Sequence, residues 1–239
     1  MQSQSLNTTV TLISLGAVFL SIIPLIISWV IKNKRLKIQA KGAELNIHIT
    51  SDPDKRGKVL DADLVSTSLY DRLAEKNPDA FTPDLVKSLN NLGRTYSEMG
   101  QFEEALETNI KAISLNERLA QKNPDAFEPD LAMSLNNLGR SYSQLGIYDR
   151  SLDTFLRATN LYERLAQKNP DAFEPDLAMS LNNLGRTYSE MGQFEGALET
   201  NLKAISLNER LAQKNPDAFE PDLAMSLNNL GRSYSQLGI

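Results

Sequence analysis

The chain has 239 residues, a formal net charge of -5, one histidine and no cysteine. Without cysteine there is no thiolate nucleophile, disulfide or cysteine-ligated zinc, and a single imidazole, His48, is too few for a His-based triad or a dedicated metal site. Acids and bases are interspersed through the repeats, which argues against the clustered basic footprint of a nucleic-acid binder.

Residues 1–8 read as a short extracytoplasmic N-terminus. From Thr9 to Ile31 the run TVTLISLGAVFLSIIPLIISWVI is uncharged. As a helix it is roughly 34 Å long, enough for a hydrocarbon core of about 30 Å. A cleaved signal peptide would want a basic n-region, a shorter apolar core and a small-residue cleavage site, and none is present. The expectation is an uncleaved transmembrane helix over 9–31. Lys32, Lys34, Arg35, Lys37 and Lys41 follow without an acid among them, which places the C-terminal side in the cytoplasm. The chain thus reads as a single-pass protein of the cell membrane. In the basic juxtamembrane segment 32–58, Leu36, Ile38 and Ala40, then Leu45, Ile47 and Ile49, alternate about Lys41-Gly42, which predicts a short β-hairpin over 36–50. His48 is an exposed polar residue in that reading. Ser51 to Lys58 is a linker.

The rest of the chain is repetitive. Ser88-Leu89-Asn90-Asn91-Leu92-Gly93-Arg94 returns from Ser134, Ser180 and Ser226, 46 residues apart each time, the signature of a stacked array and not of one globular core. Thr82-Pro83-Asp84 carries the signals of a helix start. Leu85, Leu89, Leu92, Tyr96 and Met99 form one apolar stripe, and Gly100 ends the helix in the left-handed region. A second helix carries Phe102, Leu106, Ile110, Ile113 and Leu119 and ends near Asn123-Pro124. Glu128, Glu174 and Glu220 replace Thr82 in later units, which predicts weaker caps there. Gly93, Gly139, Gly185 and Gly231 lie inside first helices at a cost of about 1 kcal/mol each, offset by close approach of the partner helix near Ala105, Ser151 and Ala197. The units are a capping helix over 59–80, complete pairs over 81–126, 127–172 and 173–218, and a first helix alone over 219–239.

These residues resemble tetratricopeptide repeats. Leu89, Leu92, Gly93, Tyr96, Gly100, Phe102, Ala105 and Ala112 match the family's spaced positions, and the longer Leu-Asn-Asn-Leu units ending in Asn-Pro are similar to the kinesin-light-chain type, which also occurs in many bacterial proteins. The resemblance implies an all-α fold: a right-handed superhelical solenoid of antiparallel helix pairs, preceded here by the transmembrane helix and the β-hairpin. It implies a concave groove, lined by first helices, that binds a peptide or partner protein. Kinesin binding does not follow, because a membrane span and not a heptad stalk precedes the array.

By position, Asn90 with Arg94, Asn136 with Arg140, Asn182 with Arg186 and Asn228 with Arg232 are expected to face that groove. An Asn amide can donate to and accept from a peptide backbone, and Arg can fork onto a carboxylate. The alternative is that Asn and Arg pair between adjacent first helices, and four stacked guanidinium groups exceed what such pairing needs. Asn91 and its equivalents read as structural. No constellation of nucleophile, base and oxyanion donors and no phosphate-cradling loop emerges, so no catalytic, metal or cofactor site is expected. The functional expectation is a membrane-anchored interaction scaffold. The alternative is the N-terminal part of a larger signalling or effector enzyme with its catalytic domain beyond Ile239, since Leu115–Ile147 and Leu207–Ile239 are identical yet only the first leads into a second helix. The uncapped last helix is also a candidate for self-association.

Overall fold

The computed structural model describes the backbone of residues 9–11, 35–41, 44–50 and 55–239, with side chains from Arg56 onward. The chain divides into two compact bodies, one up to Gln101 and one from Phe102 to Ile239. In the first, strands β1 (Thr9–Thr11), β2 (Arg35–Lys41) and β3 (Glu44–Thr50) form an antiparallel sheet of order β1-β3-β2. The β2–β3 register pairs Leu36 with Ile49, Ile38 with Ile47 and Ala40 with Leu45, and His48 lies opposite Thr9 and Lys37. Thr9–Thr11 is a strand where hydropathy predicts the start of a membrane-spanning helix; its β-branched residues pair along His48, Ile47 and Asn46 and favour extended backbone. The remainder of the predicted span, 12–31, and linker residues 51–54 lie outside the described residues. Among the described residues no helix is long and apolar enough to cross a membrane.

Eight helices follow: α1 (Lys55–Lys76), α2 (Pro78–Glu98), α3 (Phe102–Lys122), α4 (Pro124–Gln144), α5 (Tyr148–Lys168), α6 (Pro170–Glu190), α7 (Phe194–Lys214) and α8 (Pro216–Leu237). The even-numbered ones, the first helices of the units, begin more than a turn earlier than Pro83 and its equivalents predict. The reason is local chemistry. Asn77, Asn123, Asn169 and Asn215 accept through their side chains from the backbone N–H three residues on, with Pro in the first helical position, where its missing N–H is not needed. Asn is therefore the N-cap of the helix that follows it as well as the stop of the one before. Pro83, Pro129, Pro175 and Pro221 fall inside helices. Thr82 is not a cap; its hydroxyl donates to the Pro78 carbonyl at 2.6 Å. Its replacements are not failed caps either. Glu128 accepts from Arg164 at 2.8 Å and Glu174 from Arg210 at 2.7 Å, tying each second helix to the start of its own first helix. Lys168 to Asp125 and Lys214 to Asp171 repeat the tie one turn away, and these hydrogen bonds hold both aspartates below the usual carboxylate range.

The first helices end as the glycines dictate. Gly100, Gly146 and Gly192 have φ between 71° and 76°, and the next N–H reaches back to Tyr96, Tyr142 and Tyr188 carbonyls at 2.9 Å, the closing bond of a Schellman turn.

In the second body each helix packs on the next, and α4, α6 and α8 also touch one another in turn. The core runs between them in clusters such as Ile113, Leu131, Leu135, Leu138 and Ala158, then Tyr162, Leu165, Leu177 and Leu181, each fully buried leucine contributing about 1.5–3 kcal/mol. Burial pushes the Tyr162 phenol up, and the nearby Asp176 and Asp130 carboxylates add to that. Close approach explains Gly139 and Gly185, with one change of partner. The Gly139 carbonyl accepts from Ser151 at 2.9 Å, but the atoms that leave no room for a Cβ belong to the residue one turn on: the Phe155 ring at 2.9 Å, and Asn201 over Gly185. A Cβ on Gly231 would meet nothing. Gly139→Ala is therefore expected to lower stability by about 1–3 kcal/mol through overpacking, while Gly231→Ala raises it by up to about 1 kcal/mol through helix propensity. Thermal and urea unfolding of the two variants check the opposite signs.

Candidate functional site

The first helices turn a regular stripe to solvent. On α2 it is Lys87, Asn91, Arg94 and Glu98; on α4 Met133, Asn137, Arg140 and Gln144; on α6 Met179, Asn183, Arg186 and Glu190. The spacing of 4, 3 and 4 is that of one helix face. Met133, Met179 and Met225 are 38–45% exposed, large apolar groups on a surface that their soft, adaptable side chains suit to binding. Because α4, α6 and α8 are neighbours, the second body lines up Met, Asn and Arg in three parallel rows.

The predicted site residues divide within this arrangement. The four arginines lie on the open stripe: Arg94, Arg186 and Arg232 are exposed and Arg140 is half-buried. Arg94 pairs with Glu98 at 3.5 Å, and Arg232 lies 3.9 Å from Glu190 on α6. The Arg140 guanidinium donates to Asn137 Oδ1 at 3.3 Å. Three of the four predicted asparagines lie elsewhere. Asn90, Asn136 and Asn182 are 4–5% exposed. Ser180 Oγ donates to Asn136 Oδ1 at 3.0 Å, and Ser226 Oγ to Asn182 Oδ1 at 2.9 Å. Asn136 and Asn182 thus bond one first helix to the next and fix the spacing of the rows. Asn228 is exposed. The amides that reach the open stripe belong to the following residue, Asn91, Asn137, Asn183 and Asn229, which sequence reasoning set aside as structural. Val86, Ala132 and Ala178, one turn before the buried asparagines, are themselves at most 1% exposed, so that flank of each first helix is the covered one.

A second set of buried amides joins second helices to the first helix of the next unit. Asn116 Nδ2 donates to Ser134 Oγ at 2.8 Å and to the Asp130 carbonyl at 3.0 Å. Asn208 repeats this on Ser226 and Asp222, and Asn109 and Asn201 reach Ser141 and Ser233. The division of roles predicts that Asn182→Ala, which removes one of the two acceptors facing the buried Ser226 hydroxyl, costs about 0.5–1.5 kcal/mol. Arg186→Ala, at an exposed position, should stay within about 0.5 kcal/mol of wild type. Urea titrations of both check this.

Comparisons with known proteins are consistent with this geometry. The family model described as tetratricopeptide repeat matches residues 85–125, 131–171 and 177–217, just over half of the chain. Among solved structures, one from Podosopora anserina, described as a kinesin light chain with nearly identical TPR-like repeats, is 20% identical with a TM-score of 0.57, over 77% of this chain and 81% of that one. BtubC from P. vanneervenii is 18% identical with a TM-score of 0.51, over 77% and 85%. The apo form of RapI is 16% identical with a TM-score of 0.52, over 77% and 61%. At these identities the likeness is one of fold. A comparison with curated proteins returns no match. On the strength of three matched units, each a capped helical pair of the same length and register, the chain belongs to the tetratricopeptide-repeat family.

Proposed function

We propose that this protein is a membrane-anchored scaffold that binds a peptide segment of a partner protein on the open stripes of α4, α6 and α8. One observation carries the reading: three neighbouring first helices present Met, Asn and Arg in aligned rows, and buried Asn–Ser bonds hold the rows at a fixed spacing. The methionines supply adaptable apolar contact and the amides can both donate to and accept from an extended backbone. The arginines select acidic side chains or a terminal carboxylate. Arg186 is the best placed of them, exposed and without an ion pair among the described residues. Anchoring, with the repeats in the cytoplasm, is supported by the uncharged run over 12–31, after strand β1, and by the basic cluster that follows it, and tethering would raise the local concentration of sites for partners at the membrane.

Two experiments test this. Peptides selected from a random display library should combine acidic with apolar residues, and Arg140→Glu with Arg186→Glu and Arg232→Glu should abolish their binding while helical circular dichroism stays unchanged. Selected peptides without acidic residues, or undiminished binding by the triple variant, would overturn the groove assignment. For the anchor, protease added to intact cells should leave the repeats uncut, and their digestion would reverse the placement.

A further inference from the structure

Helix α8 leaves open a face that is covered elsewhere in the same chain. Residues 216–239 repeat 124–147 without a change, so every group that α4 offers to α5 recurs on α8. Leu135 is 0% exposed on α4 and its copy Leu227 is 49% exposed on α8; Asn136 is buried and its copy Asn228 exposed. The Phe155 ring fills the space over Gly139, whereas a Cβ on Gly231 meets nothing. The occupant that fits this face is a helix of the α5 kind. Second helices come in two kinds. Where α3 carries Ile113 with Asn116 and α7 Ile205 with Asn208, α5 carries Thr159 with Tyr162, and so does α1, with Thr67 and Tyr70.

Helix α1 also carries the groups by which α5 and α6 hold α4. Arg164 and Lys168 of α5 bond Glu128 and Asp125 at 2.8 and 2.9 Å; their counterparts Arg72 and Lys76 on α1, and Glu220 and Asp217 on α8, are all exposed and of complementary charge. Thr159 lies 3.0 Å from Ser180, which donates to Asn136 at 3.0 Å. Thr67 lies 2.9 Å from Ser88 in the same way, and the matching acceptor is the exposed Asn228; within the single chain Ser88 donates to Ser66 at 3.1 Å instead. The position of Phe155 is held on α1 by Asp63, of the same size as Asn201, which already sits over a glycine of α6. Asp63 accepts from Thr95 at 2.6 Å, as Asn201 bonds Ser233. Strand β2 lies beside α1, yet Val59, one turn before Asp63, is 42% exposed where its counterparts Ser151 and Ala197 are fully buried. Val59 departs from the pattern only in being larger than they are.

We infer that copies of this chain join head to tail, α1 of one copy packing on α8 of another as α5 packs on α4. The join sets α2 of one copy beside α8 of the other, so the rows of amides and arginines continue from copy to copy. Such a contact is heterologous, with a different surface on each partner, and that gives it a signature. The chain has no cysteine, so introduced thiols report the contact in the full-length, detergent-solubilised protein. With a short bismaleimide, Val59→Cys alone and Gly231→Cys alone should each stay at monomer mass on a denaturing gel, and their mixture should give a dimer. The chain that carries both should give a ladder of multiples. In light scattering, Gly231→Lys, at a position where a Cβ meets nothing in the single chain, should reduce the mass to that of the monomer with helical circular dichroism unchanged. Cross-linking of Gly231→Cys with itself, no dimer from the mixture, or an unchanged mass of Gly231→Lys would overturn the inference.

Discussion

The structure depends on the seam between successive helical pairs. A pair of 21-residue helices cannot bury its apolar stripes alone, so each unit is stable only against its neighbours, and the seam must hold them in one register although apolar surface by itself is non-directional. Buried hydrogen bonds supply the direction. Ser180 to Asn136 and Ser226 to Asn182 join consecutive first helices, while Asn116 and Asn208 reach a serine and a backbone carbonyl across the other side of the seam. Each bond contributes only about 1 kcal/mol net, but a slipped register would leave its donor or acceptor buried and unmet at greater cost.

The seam is built in two ways that alternate. Between α3 and α4 and between α7 and α8 it is made by Asn109 with Asn116 and Asn201 with Asn208, on serines. Between α5 and α6 it is made by Tyr162, clustered with Leu177 and Leu181, and by Thr159, bonded to Ser180 at 3.0 Å. Within the first body, Thr67 and Ser88 join α1 to α2 in the same manner at 2.9 Å. The alternation follows the sequence, in which Leu115–Ile147 returns unchanged 92 residues on as Leu207–Ile239, and it shows that one backbone position accepts either a polar or an aromatic solution when the neighbouring helix supplies matching groups.

The same seam shapes the surface. By locking first helices side by side it turns single side chains into rows, and a row of Met, a row of amides and a row of Arg can engage an extended ligand at several points where one copy of each could not. The buried asparagines act behind this surface, holding it in place.

The 46-residue period, the apolar stripes, the Gly stops and the Asn-Pro boundaries point from sequence alone to helical pairs from residue 59 onward, because these signals are local and each residue type has few conformational options; the first helix in fact starts at Lys55, inside the segment read as a linker. The β2–β3 pairing was equally legible from alternation. Helix starts were misread because Asn-Pro and Pro-Asp are both credible openings, and only the backbone shows that Asn77 caps α2 while Pro83 falls inside it. What tertiary structure alone decided is which asparagine of the Asn-Asn pair is exposed. Asn90 and Asn91 stand at about equal angles on either side of the apolar stripe, at 100° per residue, so amphipathicity does not separate them. The neighbouring first helix covers one flank and leaves the other open, and that choice belongs to packing between units that lie 46 residues apart.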